Sequence, residues 1–139
     1  MATITQKVIK FSLLIIIVMG LIWGNTYYRQ VKYFKKAENL RSQKKILESI
    51  AFYEAAIRMY TPWSSKVQKS IENIWHIGEN YQKSNSIEHA LIAFRSLKTS
   101  LYAIRSFYSP FRLYRDKAEE KVSLLMEIQK NKIKTKTPL

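Results

Sequence analysis

The sequence predicts an all-α protein: a single N-terminal transmembrane helix, then a short array of helical hairpins closed by a C-terminal capping helix. Three observations carry this reading. An apolar segment with one charge, Lys10, occupies residues 8–23. Downstream of it, apolar side chains recur at alternating spacings of four and three, the period of one helix face. Chain punctuation is scarce, with three glycines and three prolines in 139 residues and a single glycine after Gly24. That is too few turn residues for strands and tight hairpins.

Residues 8–23 read Val-Ile-Lys-Phe-Ser-Leu-Leu-Ile-Ile-Ile-Val-Met-Gly-Leu-Ile-Trp, with Tyr27 and Tyr28 just beyond. A membrane span needs about 20 mainly apolar residues. Residues 8–28 supply them if Lys10 stretches its ammonium toward the headgroups. A cleaved secretory signal has the same charged start and apolar middle, but Gly20-Leu-Ile-Trp-Gly24-Asn is a poor cleavage site and there is no cysteine for lipidation. The expected organisation is a retained anchor over 1–28, a helical domain over 29–129 and a disordered basic tail over 130–139. Lys7 and Lys10 precede the span while Arg29, Lys32, Lys35 and Lys36 follow it, so the positive-inside count favours a cytoplasmic domain. Long segments translocate largely regardless of charge, however, and a short lysine-bearing terminus is typically held inside. The arrangement adopted is a single-pass inner-membrane (plasma membrane) protein with its domain outside the cytoplasm.

Helices are expected near 27–43, 46–60, 64–83, 86–108 and 110–129. The first runs straight out of the membrane, because nothing between Asn25 and Leu40 would stop it. Ile46, Ile50, Tyr53, Ile57 and Tyr60 form one apolar stripe, and Val67, Ile71, Ile74, Gly78 and Tyr81 the next. Ile87, Ala90 or Leu91, Phe94, Leu97, Leu101, Ile104 and Tyr108 form a third; Tyr114, Ala118, Val122 and Leu125 form a fourth. Thr61-Pro62 and Ser109-Pro110 each place a hydroxyl residue before a proline, which suits an N-cap followed by the first helical position. Ser65-Lys-Val-Gln68 and Asn85-Ser-Ile-Glu88 have the form of capping boxes. The tail from Lys130 onward lacks an apolar period, hence its expected disorder.

Two antiparallel helices can approach closely only if a small residue sits where they cross and bulky residues fill the space where they diverge. In the stretch from Gly78 to Phe94, Gly78 and Ala90 are the small residues, Tyr81 and Phe94 the bulky ones. A weaker copy places Ala37, Leu40, Ser49, Tyr53 and Ala56 at the corresponding and following positions, although Lys36 and Gln43-Lys44-Lys45 depart from the pattern. This spacing resembles the tetratricopeptide repeat, a helix-turn-helix unit with small and aromatic residues at those positions. The resemblance covers roughly residues 30–110. A second echo pairs Ala56-Ile-Arg-Met-Tyr-Thr-Pro-Trp63 with Ala103-Ile-Arg-Ser-Phe-Tyr-Ser-Pro-Phe111. The resemblance implies a protein-binding groove along the first helices, here carrying Lys66, Lys69, Tyr81 and Lys83, which an acidic segment would complement. Since two repeats are few, it also implies support from the last helix and from a partner or a second copy. An anchor followed by such repeats is similar to short bacterial envelope proteins.

The chemistry that is missing narrows the function. Without cysteine there is no thiolate metal site, disulfide or cysteine nucleophile. His76 and His89 fall on different expected helices, there is no glycine-rich phosphate loop, and Asp116 is the only aspartate. No enzyme activity, metal or cofactor is expected. The net charge of +14 suits nucleic acid, anionic lipid or an acidic protein. Arg29, Lys32, Lys35 and Lys36 are the lipid-headgroup candidates, at about 1 kcal/mol per basic residue near the surface. A second partner-binding candidate is an aromatic-arginine elbow of Tyr102, Arg105, Phe107, Tyr108, Phe111 and Arg112. The functional expectation is a membrane-anchored scaffold binding a protein partner, itself membrane-associated or bearing an acidic segment. An accessory subunit docked through its span is the alternative, and a basic nucleic-acid-binding module ranks third.

Overall fold

The computed structural model describes residues 4–105 and 111–136. Phe107, Tyr108 and the Ser109-Pro110 cap lie outside them. Five helices follow one another: α1 (Ile4–Ser42), α2 (Ile46–Arg58), α3 (Ser65–Lys83), α4 (Ile87–Ala103) and α5 (Arg112–Lys136). No strand occurs among the described residues.

α1 is unbroken across the expected boundary at residue 28, as the absence of stop signals predicted. Its 39 residues extend about 58 Å at 1.5 Å per residue. A hydrocarbon core of about 30 Å takes up half of that. It is the one helix among the described residues long and apolar enough to cross a membrane, with none of its apolar window buried by the rest of the chain.

Beyond the apolar half, consecutive helices fold back on one another as an array of hairpins. The turns into α2 and α4 share one construction. Lys45 N–H donates to Leu40 C=O and Lys44 N–H to Arg41 C=O. In the same way Ser86 N–H donates to Tyr81 C=O and Asn85 N–H to Gln82 C=O. Each is a Schellman closure, which satisfies carbonyls at the end of the preceding helix and needs a residue in the left-handed region. Lys44 (φ 61°) and Asn85 (φ 57°) take that position, so the glycine missing from the first turn is replaced by a strained lysine.

Helices α2 and α4 pack together as well as against their hairpin partners, and α5 covers α4. The main core gathers Ala37, Ile50, Tyr53, Ile57, Ile71, Ile74 and Leu97; a smaller one joins Ala90, Leu91 and Phe94 to Val122 and Leu125 of α5. α5 therefore closes the array as a cap. The fold is an array compatible with tetratricopeptide-like packing, although α1 and α3 meet at few points.

Several boundaries correct the sequence expectations. α3 is capped by Ser64, whose hydroxyl accepts from Lys66 N–H at 3.3 Å, and not by Thr61. Thr61 is buried, and its hydroxyl donates to Gln30 instead. Neither capping box forms as expected. Gln68 reaches forward to Glu72, while α4 starts after Ser86, whose side chain pairs with His89. α4 ends at Ala103, short of 108, because Ile104 and Arg105 turn off it through bonds to Ser100 and Tyr102. α5 runs past the expected helix end at residue 129 as far as Lys136, with Lys132 Nζ bonded to Asn85 at 2.9 Å.

Candidate functional site

The crossing of α3 and α4 is closed by Gly78. A Cβ there would lie 2.7 Å from the tip of the Phe94 ring, closer than the ring can tolerate without moving. Phe94 is fully buried and edge-on to Trp75 at 5.2 Å. In the first hairpin Ala37 stands at the crossing, Tyr53 is the buried aromatic, and Phe34 meets it edge-on at 5.9 Å. Ser49, Ala56 and Ala90 are buried as well, and Leu40 is half-buried. Tyr81 stacks on His89 at 5.1 Å between α3 and α4, so this ring belongs to hairpin packing.

The side of the array opposite the α2–α4 contact is open. Between α1 and α3 it is bridged by polar side chains: Tyr53 donates to Glu38, Asn73 donates to Glu38 at 2.9 Å, and Arg41 donates to Asn73 at 2.7 Å. Burial and the Glu38 carboxylate together push the Tyr53 phenol well above its ordinary pKa. Between α3 and α5 lies a cleft of about 320 Å³ lined by Trp75, Lys117, Glu120, Lys121 and Leu124. Leu124 is an exposed apolar side chain there. Of the predicted groove residues, Lys69 and Lys83 are exposed on α3, whereas Lys66 folds over the Phe34 ring at 4.9 Å. Lys66 and Lys83 stand at opposite ends of α3, about 25 Å apart along its axis. Glu72 and Glu79 lie between them, so the face is mixed in charge.

The elbow is a second cluster. Tyr102 lies beneath Arg105 and Arg115, with guanidinium carbons 5.8 and 5.3 Å from its ring centre. Its hydroxyl donates to Glu119 at 3.0 Å, and Lys98 pairs with the same carboxylate at 3.0 Å. Lys98 first, then Tyr102, holds Glu119 below the usual carboxylate range. Arg112 is exposed beside Asp116, and Phe111 turns half inward onto the main core.

Arg29, Lys32, Lys35 and Lys36 are all exposed on α1. Arg29 bonds to Tyr33 and holds its phenol below the ordinary value, and Lys36 lies over Phe52 at 4.2 Å. Next to them, and absent from the sequence reading, is Gln30, which is fully buried. Its amide donates to the carbonyls of Met59 at 2.7 Å and Ala56 at 3.3 Å, and its oxygen accepts from Thr61 at 3.0 Å and from Ser64. One side chain thus ends α2, holds the connection and steadies the cap of α3. The only sequence signal was a glutamine among lysines and aromatics just past an apolar span.

Among the described residues no three His, Cys, Asp or Glu side chains gather into a group that could hold a metal. No family model, curated protein or solved structure matches the chain at the significance required. The functional reading therefore rests on the geometry.

Proposed function

We propose that this chain is a membrane-anchored, tetratricopeptide-like adaptor that docks a segment of another protein on the open face formed by α1, α3 and α5. The observation that carries the reading is the cleft between Trp75 and Leu124, whose apolar side chains are bordered by Lys117 and Lys121 with one carboxylate, Glu120, among them. An interface centre of that kind takes an apolar anchor, with carboxylates at its rim. A partner with an apolar residue set among acidic ones fits. The domain stands outside the cytoplasm in this reading, within a bacterial envelope.

The test is copurification from solubilised membranes, comparing Leu124→Asp and Lys69→Glu with Arg95→Glu on the exposed side of α4. Loss of the same companion protein with the first two, and its retention with the third, supports the reading. Equal recovery in all three sinks it. The alternative, an accessory subunit docked through its span, draws on the fully lipid-accessible apolar window of α1. Exchanging residues 11–24 for an unrelated span separates the two, because an adaptor keeps its companion and a span-docked subunit loses it.

A further inference from the structure

Trp63 has 98% of its surface exposed and sits at φ 63°, a backbone region that bulky L residues rarely adopt. Two residues away Thr61 is 1% exposed, and the Gln30 bonds to Met59, Thr61 and Ser64 hold the connection between α2 and α3 in place. The tryptophan is therefore presented from a fixed support, with no partner ring or core beneath it.

The depth of this connection relative to α1 identifies what it meets. Tyr60 and Thr61 share a cleft of about 310 Å³ with Met19, Ile22, Trp23 and Thr26 of α1. Counting from residue 8, a hydrocarbon core of about 30 Å ends close to residue 28. At 1.5 Å per residue Thr26 lies about 3 Å and Met19 about 13 Å inside that limit, so the connection reaches from the headgroup boundary into the outer acyl chains. Trp and Tyr are favoured at that boundary. The charges agree: because consecutive helices alternate in direction, Arg58 ends α2, Arg105 follows α4 and Arg112, paired with Asp116, starts α5, all at the end of the array where α1 carries Arg29. The acidic partner of Arg58 is Glu54, within α2.

We propose that the α2–α3 connection is a second, interfacial membrane anchor, in which Trp63 enters the headgroup boundary of the leaflet that α1 leaves, flanked by arginines on anionic lipid. The inference rests on α1 being a span and is independent of any protein docked on the open face.

The full-length chain, with Trp23→Phe and Trp75→Phe so that Trp63 alone reports, is reconstituted in vesicles of mixed neutral and anionic phospholipid. The expected result is strong quenching of Trp63 by lipids brominated near the headgroup end of the acyl chain, with iodide quenching several-fold weaker than in the urea-unfolded chain. Iodide quenching at the unfolded level, with no effect of brominated lipid, overturns the proposal and leaves Trp63 as a surface for a protein. If Trp75→Phe disturbs the core, a spin label on Trp63→Cys in the otherwise native chain gives the same decision through its relative accessibility to oxygen and to a water-soluble nickel chelate. Alkaline extraction of the same vesicles keeps the two readings apart: a chain that is extracted has no span, whereas one that is retained with a water-exposed Trp63 has a span and no second anchor.

Discussion

Phe34, Ala37, Lys44 and Tyr53 of the α1–α2 hairpin correspond, at a constant offset of 41 residues, to Trp75, Gly78, Asn85 and Phe94 of the α3–α4 hairpin. Both hairpins use an edge-on aromatic pair, a small residue at the crossing and a left-handed turn residue. They differ in what completes the crossing. The second hairpin brings its helices together on a bare glycine, with an aromatic that has no polar atom. The first has a Cβ at the crossing and a tyrosine whose hydroxyl joins Glu38, Asn73 and Arg41, while Gln30 bonds the connection to α3. The hairpin that shares a helix with the apolar segment is thus tied to the array by polar bonds, and the hairpin farther along the chain is held by close packing. Hydrogen bonds fix angle and register more than they add net stability, whereas burial supplies the larger energy.

Substitutions can break or sharpen this contrast, read by denaturant unfolding of the full chain in micelles with helicity as the signal. The largest effect is expected from Phe94→Ala, about 3–5 kcal/mol for removing a buried ring. Gly78→Val should cost about 1–3 kcal/mol by overpacking against that ring, and combining it with Phe94→Leu should cost less than the sum. Strict additivity would mean that the close approach does not set the crossing. Gln30→Leu leaves two hydroxyls and two carbonyls without their partner and should cost about 1–3 kcal/mol, with faster proteolysis between Met59 and Ser64. Tyr53→Phe should cost about 1 kcal/mol near neutral pH. Its second signature is alkaline. The folded phenol holds its proton more tightly than the unfolded one, so its contribution is complete below about pH 10 and fades as pH rises further. That slope should be reduced in Tyr53→Phe and kept in Phe94→Leu. A smaller shift is expected from Lys44→Gly, a gain of about 0.5 kcal/mol as relief of left-handed strain outweighs the added chain entropy. Asn85→Gly should gain less, since asparagine tolerates that region.

The sequence made the helical class, the uninterrupted exit of α1 and the Gly78–Phe94 crossing legible, because each depends on local pattern: apolar period, absence of breakers, and the size of residues at fixed spacing. Long-range polar bonds leave no such period. Thr61 reads as a cap until Gln30, 31 residues earlier, takes its hydroxyl. The end of α4 was misjudged because Ile104 and Phe111 return to the same core after the helix stops, so the apolar rhythm outlasts the helix that produced it. The carboxy-terminal helix was legible from its stripe of Tyr114, Ala118, Val122 and Leu125, but its continuation past residue 129 was not. Beyond that point the sequence shows little period, and a long-range bond from Lys132 to Asn85 ties the helix to the array. On the open face, Lys69 and Lys83 were recognisable as surface residues, but the Trp75–Leu124 cleft joins helices that lie far apart in sequence.

One rod, α1, is both the apolar segment and the first wall of the domain, with no proline before residue 62 to act as a joint. With α1 crossing a membrane, as proposed above, rotation of that helix about its axis becomes a compass bearing for everything attached to it. Inserting a single residue after Asn25 should swing the domain by about 100° and lift it by about 1.5 Å, steering the open face to a different quarter of the membrane plane without altering any contact within it.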